Sequence, residues 1–214
     1  MNKAVIFDLD GTLIHSLPDI FEYVNLTLEK FNAPLRNESE IRQFIGNGAR
    51  NLIKRSFGEV TETELDERLA FYNEKYTNSG SPKTRLFDGV KELLLTLKAR
   101  GYKLAILTNK PQKTTDEVYQ KYLSFANFDM VVGQSNSVKC KPDKTATLNI
   151  LKQLNVDKEN AFFIGDGETD VLTSINAGIK NVSVLWGYRD KDQLSEAGAT
   201  IFVQHPKDIL NLIL

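Results

Sequence analysis

Short apolar runs, mostly β-branched or aromatic, recur along the chain at Ala4 to Phe7, Lys103 to Leu107, Met130 to Gly133, Ala161 to Ile164, Val182 to Leu185 and Thr200 to Val203. Runs of this length and make-up predict strands. Between the later runs the apolar positions change to a helical spacing, at Val90, Leu93, Leu94 and Leu97, then Val118 and Tyr122, then Leu148, Leu151 and Leu154, then Val171, Leu172 and Ile175. Strands that are apolar almost throughout and alternate with helices predict an α/β chain with a doubly wound parallel sheet covered on both faces.

One stretch breaks the alternation. Residues 18–78 hold no good strand but several helical stretches, Ile20 to Phe31, Glu40 to Phe57 and Glu62 to Tyr76, and Ser79-Gly80-Ser81-Pro82 punctuates the return to strand-forming sequence. The expected division is therefore an α/β core from 1–15 and 80–214 with a helical insert at 16–79.

A chain of 214 residues, 41% hydrophobic, can bury a substantial core. Its 27 basic and 28 acidic residues leave a formal charge of −1, which gives no bulk attraction to nucleic acid or to an anionic membrane. Cys140 is the only cysteine, so no intrachain disulfide forms, and with only His15 and His205 beside it the nitrogen and sulfur ligands for zinc are too few. No run of about 18 apolar residues exists, and the N-terminal apolar stretch is broken at Asp8, too early for a signal peptide. The expectation is a cytoplasmic monomer or homodimer with no membrane or nucleic-acid partner.

The chemistry concentrates at strand ends. Asp8-Leu9-Asp10-Gly11-Thr12 follows the first strand, and alternation sends the side chains of Asp8 and Asp10 to the same side while Gly11 lets the chain turn. At average residue usage such a pentad arises at roughly one position in ~10⁵, so coincidence is a poor explanation. Thr108-Asn109 ends the second core strand, Lys141-Pro142 lies in the loop after the third, and Asp166 ends the fourth with Asp170 one helical turn on. Ligands of open parallel sheets bind beyond the carboxyl ends of the strands, so these residues should converge. Carboxylates ~4 Å apart repel by about 4 kcal/mol per pair at an effective dielectric of ~20, so a cation must sit among them. A hard divalent ion with oxygen ligands fits, and magnesium, which takes one or two carboxylates plus a substrate phosphate, fits best.

These four elements, in this order, resemble the haloacid dehalogenase superfamily of phosphotransferases over the whole chain. The resemblance implies a Rossmann-like core with a helical cap inserted after the first motif, and magnesium as cofactor. It implies Asp8 as the nucleophile that takes the phosphoryl group and Asp10 as the acid and base. Thr108 and Asn109, with backbone N–H groups near Gly11, become phosphate donors, and Lys141 balances charge. Asp8, Asp166 and Asp170 join the metal site by their side chains and Asp10 by its carbonyl, with Asp170 holding metal waters or orienting Lys141. Within the insert, Phe44-Ile45-Gly46-Asn47-Gly48-Ala49-Arg50 and, in the core, Thr108-Asn109-Lys110-Pro111 resemble the phosphoglycolate phosphatase-like branch. Gly46, Asn47 and Gly48 then bring backbone close to a small phosphorylated metabolite, and Arg50 is a candidate for its carboxylate.

Other readings stay open at this point. Thr108-Asn109 can be the N-cap of a helix starting near Pro111, Asp166 and Asp170 a charge pattern on a helix N-terminus, Gly46 and Gly48 a plain helix end, and Arg50 a solvated surface residue. His15 has no role beyond packing or hinge placement, and Trp186-Gly187-Tyr188 shapes a loop. At the level of function the expected reaction is magnesium-dependent hydrolysis of a small phosphate monoester, 2-phosphoglycolate first. The alternatives are a β-phosphoglucomutase or inorganic pyrophosphatase of the same superfamily, and more remotely a non-enzymatic receiver-like module.

Overall fold

The computed structural model describes residues 2–213. Strand β1, Ala4–Phe7, leads through the Asp8–Thr12 turn to a two-residue strand β2, Ile14–His15. Four helices follow: α1 at Leu17–Lys30, α2 at Glu38–Phe44, α3 at Gly48–Phe57 and α4 at Glu62–Asn78. The chain returns through β3, Arg85–Leu86, to α5, Val90–Ala99, and then runs through β4 Lys103–Pro111, α6 Gln112–Val118, β5 Met130–Gln134, α7 Thr145–Leu154, β6 Ala161–Gly165, α8 Glu168–Ala177, β7 Lys180–Val184, α9 Lys191–Glu196, β8 Phe202–Val203 and α10 Pro206–Ile213.

Six strands form one sheet in the order β5-β4-β1-β6-β7-β8, parallel at every pairing. The alternation of side chains builds both cores at once. Val5 and Phe7 face a cluster with Leu104, Ile106, Phe162, Ile164 and the helices α5 and α10, while Ala4 and Ile6 face Ala105, Leu107, Phe163 and α7 on the opposite side. β1 lies at the middle of the sheet, where the strand order reverses direction, so the Asp8–Gly11 turn emerges in the crevice where such sheets bind ligands.

The four helices α1–α4 have their own apolar cluster, with Ile20, Val24, Leu28, Ile41, Ile53, Leu65, Tyr72 and Tyr76 among its buried members. They are joined to the sheet domain by β2 and β3, which pair antiparallel with Ile14 opposite Leu86 and His15 opposite Arg85. Asp19, fully buried, fastens this junction by accepting hydrogen bonds from the Lys83 N–H at 3.1 Å and the Thr84 hydroxyl at 2.6 Å. His15 packs its ring 5.5 Å from that of Phe87, in keeping with hinge placement.

Several local expectations need correction. The stretch Glu40 to Phe57 is two helices, because Ile45 is extended (φ −70°, ψ 155°) and Gly46 and Gly48 take φ of +115° and +82°, which no interior of a right-handed helix contains. β4 runs to Pro111 with a register shift between Leu107 and Pro111 instead of ending at Asn109. Leu172 and Ile175 are exposed: α8 turns Val171, Thr173, Ser174 and Ala177 inward, small side chains that let it approach the sheet closely. No described helix is long and apolar enough to cross a membrane.

Candidate active site

The end of β1 places Asp8, the loop before α7 places Lys141, and the end of β6 with the first turn of α8 places Asp166 and Asp170. One carboxylate oxygen from each of Asp8, Asp166 and Asp170 lies within 4.8 Å of the others, all three side chains buried. Lys141 Nζ sits 2.7 Å from Asp8 and 2.6 Å from Asp170, with its side chain 2% exposed. Glycines allow the acids to come this close. An added Cβ on Gly11 or on Gly187 would lie 2.2 Å from an atom of Asp166, well inside any contact distance, so neither position admits a side chain.

Three buried carboxylates face one ammonium group, and their proton affinities register the imbalance. Burial, followed by repulsion from Asp170 and Asp166 and against the pull of Lys141, pushes Asp8 up to about 8. Burial and Asp170 push Asp166 up to about 7, although the Tyr188 N–H and the Thr12 hydroxyl both donate to its carboxylate at 2.8 Å. The two neighbouring acids hold Lys141 protonated, above its usual value, against its own desolvation. A cluster of oxygen donors short of positive charge is what a divalent cation satisfies, and the donor set has no nitrogen or sulfur to favour a softer metal. Asp10 stands apart from this cluster: its carboxylate accepts from Lys110 Nζ at 2.9 and 3.1 Å and from the Ser16 hydroxyl at 2.6 Å, so its side chain does not join the acidic group.

The remaining expected residues distribute unequally. Thr108 is buried beside Asp8 on the cavity wall, its Oγ1 accepting from the Lys110 N–H and its own proton free for a ligand. The helix begins only at Gln112, after Pro111, so Thr108 and Asn109 are not its N-cap. Asn109 corrects the expected phosphate-donor role of its amide. Its Oδ1 accepts from the Lys141 N–H at 2.7 Å and its Nδ2 donates to the carbonyls of Lys141 (3.2 Å) and Gly46 (3.0 Å), so it braces the lysine loop against the helical insert. The Gly11 N–H is likewise engaged, donating to the Ile14 carbonyl at 2.9 Å, and what the glycine provides is room for Asp166. Asp170 orients Lys141 directly while its other oxygen accepts from the Gly167 N–H at 2.9 Å.

Gly46 and Gly48 line the cavity, at the turn between α2 and α3, but Asn47 and Arg50 do not. Arg50 is on the opposite face of α3, with Asp66 and Glu62 of α4 each at 2.5 Å, and these two carboxylates in solvent-facing positions are why it turns outward. The cavity itself is about 60 Å³, walled by Asp8, Asp10, Thr108 and Lys110 from the sheet and by Ile20, Leu52, Tyr72 and Tyr76 from the helices. At ~10–15 Å³ for each water that is about four to six waters.

The sequence offers Lys110 as part of a branch motif and Tyr188 as a loop-shaping aromatic, without the contacts they make, and gives no signal for Tyr76 or Arg189. Lys110 was reachable: two residues beyond Thr108 on an extended segment, it faces the same side. Tyr76 meets Lys110 across 34 residues, and Tyr188 and Arg189 reach the insert across 144 or more. The Tyr188 hydroxyl accepts from the Ser16 and Leu17 N–H groups at 3.0 Å each and so caps the start of α1, for which Ser16 offers no side-chain bond. Arg189, buried, donates to the Arg42, Gln43 and Ile45 carbonyls at the end of α2, and Arg42 in return donates to the Gly187 and Tyr188 carbonyls. Together these bonds seat the insert over the acidic cluster.

With this geometry in hand, similarity to known proteins is specific. The family model for haloacid dehalogenase-like hydrolases matches residues 5–184. The chain is 32% identical over 214 residues to phosphoglycolate phosphatase 1 of Pseudomonas aeruginosa, covering 97% of this chain and 78% of that protein. It is 27% identical over 213 residues to an N-acetylmuramic acid 6-phosphate phosphatase of the same organism, covering 99% and 94%. A crystal structure from Lactobacillus delbrueckii subsp. bulgaricus, provisionally named as a phosphoglycolate phosphatase, superposes with a TM-score of 0.93 at 26% identity over 100% of this chain and 99% of that one.

Proposed function

We propose that this chain, which belongs to the haloacid dehalogenase-like hydrolase family and is a phosphatase, hydrolyses a small phosphorylated acid with magnesium as its metal, 2-phosphoglycolate being the leading substrate. The observation that carries the substrate reading is the small size of the cavity, about 60 Å³ between the sheet domain and a helical insert fastened down by Arg42, Arg189 and Tyr188. That space suits the few atoms of a two-carbon leaving group and not a hexose or amino sugar ring. The helices at 16–79 then act as a cap that keeps water from the reacting centre.

In the proposed reaction Asp8 attacks the phosphorus in line, and the ester oxygen leaves with a proton from Asp10. Asp10 next takes a proton from the water that attacks the aspartyl phosphate, which releases inorganic phosphate and restores Asp8. Ser16 and Lys110 aim the Asp10 carboxyl at that position. Thr108 donates its hydroxyl proton to a phosphoryl oxygen, and Lys141, fixed by Asp170 and by the Asn109 brace, keeps a positive charge beside the nucleophile. Asp8, Asp166 and Asp170 would hold a divalent cation by their side chains, with the Asp10 carbonyl as the further ligand the family resemblance implies, and the ion would supply the positive charge that offsets nucleophile and phosphoryl group. Magnesium, a hard ion, would suit this all-oxygen donor set.

Phosphate release from a panel of esters tests the reading. Phosphoglycolate should exceed a hexose 6-phosphate, N-acetylmuramic acid 6-phosphate and pyrophosphate in kcat/KM by more than about tenfold, or ~1.4 kcal/mol. Preference for any of these three overturns the assigned substrate, while loss of all release in Asp8→Asn is required by the reaction itself.

A further inference from the structure

Two buried ammonium groups stand at this site, and the phosphoryl end accounts for only one. Lys141 is held between Asp8 and Asp170, away from the cavity wall. Lys110 is different. At the end of β4 its side chain is 3% exposed, and Nζ donates to both oxygens of Asp10 and to the Tyr76 hydroxyl at 2.7 Å, 4.6 Å from the centroid of the Tyr76 ring. Tyr76 belongs to α4 and stacks on Tyr72 with centroids 5.4 Å apart, so this lysine is clasped between the sheet domain and the last helix of the insert.

Among the described residues that wall the cavity, Lys110 is the one cation. Around it the insert side of the wall is mostly uncharged, with Ile20, Ile45, Ala49 and Leu52 apolar and Tyr72, Asn73 and Tyr76 neutral polar groups. Burying a carboxylate there without a counter-charge would cost several kcal/mol, and Lys110 is the full positive charge on this wall that can meet it, by sharing protons it gives to Asp10 and Tyr76. Arg50 does not compete, because it faces solvent and its own two acids.

We propose that Lys110 is the specificity-determining residue that receives the second anionic group of the substrate. The inference rests on the reading of the protein as a phosphatase for a small phosphorylated acid and assigns a residue to the acid. Its reach also limits the substrate. Lys110 Nζ shares a 2.9 Å hydrogen bond with the Asp10 carboxylate, the group that serves the ester oxygen, so an anion on Lys110 is only a few atoms from the bond that breaks. A carboxylate on the carbon next to the ester carbon meets that condition; a charge at the far end of a sugar does not. Tyr76 steadies Nζ through its hydroxyl, and the aromatic face supports the cation from above.

The test compares 2-phosphoglycolate with ethyl phosphate, which has the same two-carbon length and no carboxylate, as a ratio of kcat/KM values. Lys110→Met disturbs Asp10 and lowers both rates, but the ratio should fall by a further 10- to 100-fold, the span of a charge-assisted hydrogen bond. Lys110→Gln, which keeps a donor toward Asp10 and Tyr76 without the charge, guards against loss of fold and should show the same fall. Lys110→Arg should keep the ratio within about threefold of the parent. A ratio unchanged in both neutral variants overturns the assignment and leaves Lys110 as a positioning residue for Asp10. A fall in Lys110→Arg as deep as in Lys110→Met overturns it too, since shape and not charge would then be read. A parent enzyme with no preference for phosphoglycolate over ethyl phosphate overturns the substrate reading first, and the role of Lys110 with it.

Discussion

Replacing Lys141 by methionine removes a charge and leaves the volume. In the parent, Lys141 Nζ lies 2.7 Å from Asp8 and 2.6 Å from Asp170, both buried, and 5.4 Å from the Phe163 ring centroid. The methionine can keep the packing, so the loss is electrostatic. Removing one partner from a buried ion pair typically costs about 3–5 kcal/mol, because the remaining charge stays desolvated. At roughly 2–4 °C per kcal/mol for a chain of this size, the unfolding midpoint in chelator at pH 7.5 should fall by about 6–20 °C. The pH dependence fixes the cause. Lys141 in the parent is held protonated throughout the neutral range, so it contributes no slope there. In the variant Asp8 loses the Lys141 charge that pulls against its raised proton affinity, becomes protonated still more readily in the folded chain than in the unfolded one, and gives stability that grows as pH falls. The deficit against the parent should therefore shrink between pH 7.5 and pH 5.5, and magnesium should recover part of it at the higher pH. Circular dichroism melts of both proteins, with and without magnesium, measure all of this, and turnover of p-nitrophenyl phosphate should be lost in parallel. A Lys141→Met midpoint within 2 °C of the parent in chelator, or a deficit that widens on acidification, would refute the charge-balance argument.

In the metal-free parent, Asp8 at about 8 and Asp166 at about 7 lie above their ordinary value of 3.8, so their contribution to stability is complete below pH 4 and is lost as pH rises toward 8; a melting temperature in chelator that stays flat over this interval would contradict the pair. Tyr188→Phe leaves the Ser16 and Leu17 N–H groups without their acceptor at the start of α1 and should cost about 2–4 kcal/mol, read as a shift in urea midpoint without change in slope. Arg50→Ala should leave the ratio of phosphoglycolate to p-nitrophenyl phosphate turnover unchanged, since Arg50 pairs with Glu62 and Asp66 outside the cavity; a selective loss for phosphoglycolate would return it to the site.

What the sequence determined by itself is what short-range order and alternation determine. Four apolar residues before Asp8 imply a central strand, and the period of two then splits Val5 and Phe7 from Ala4 and Ile6 into two cores. The acids at strand ends, with Thr108 and Lys141, were legible for the same reason: a parallel sheet brings all its carboxyl ends to one edge. The helical insert was legible as an interruption of the alternation. Only tertiary structure decided which partners each group has and which groups line the cavity. Asn109 and Arg50 carry suitable donors, yet one is engaged by Lys141 and Gly46 and the other by Glu62 and Asp66. Lys110 carries an ordinary surface-type side chain, yet burial against Tyr76 makes it the cation on the cavity wall. The hydroxyl that caps α1 comes from Tyr188, more than 170 residues along the chain. A residue's chemistry is written in its type, but its availability depends on partners that are near in space and far in sequence, and one-dimensional spacing holds no record of them.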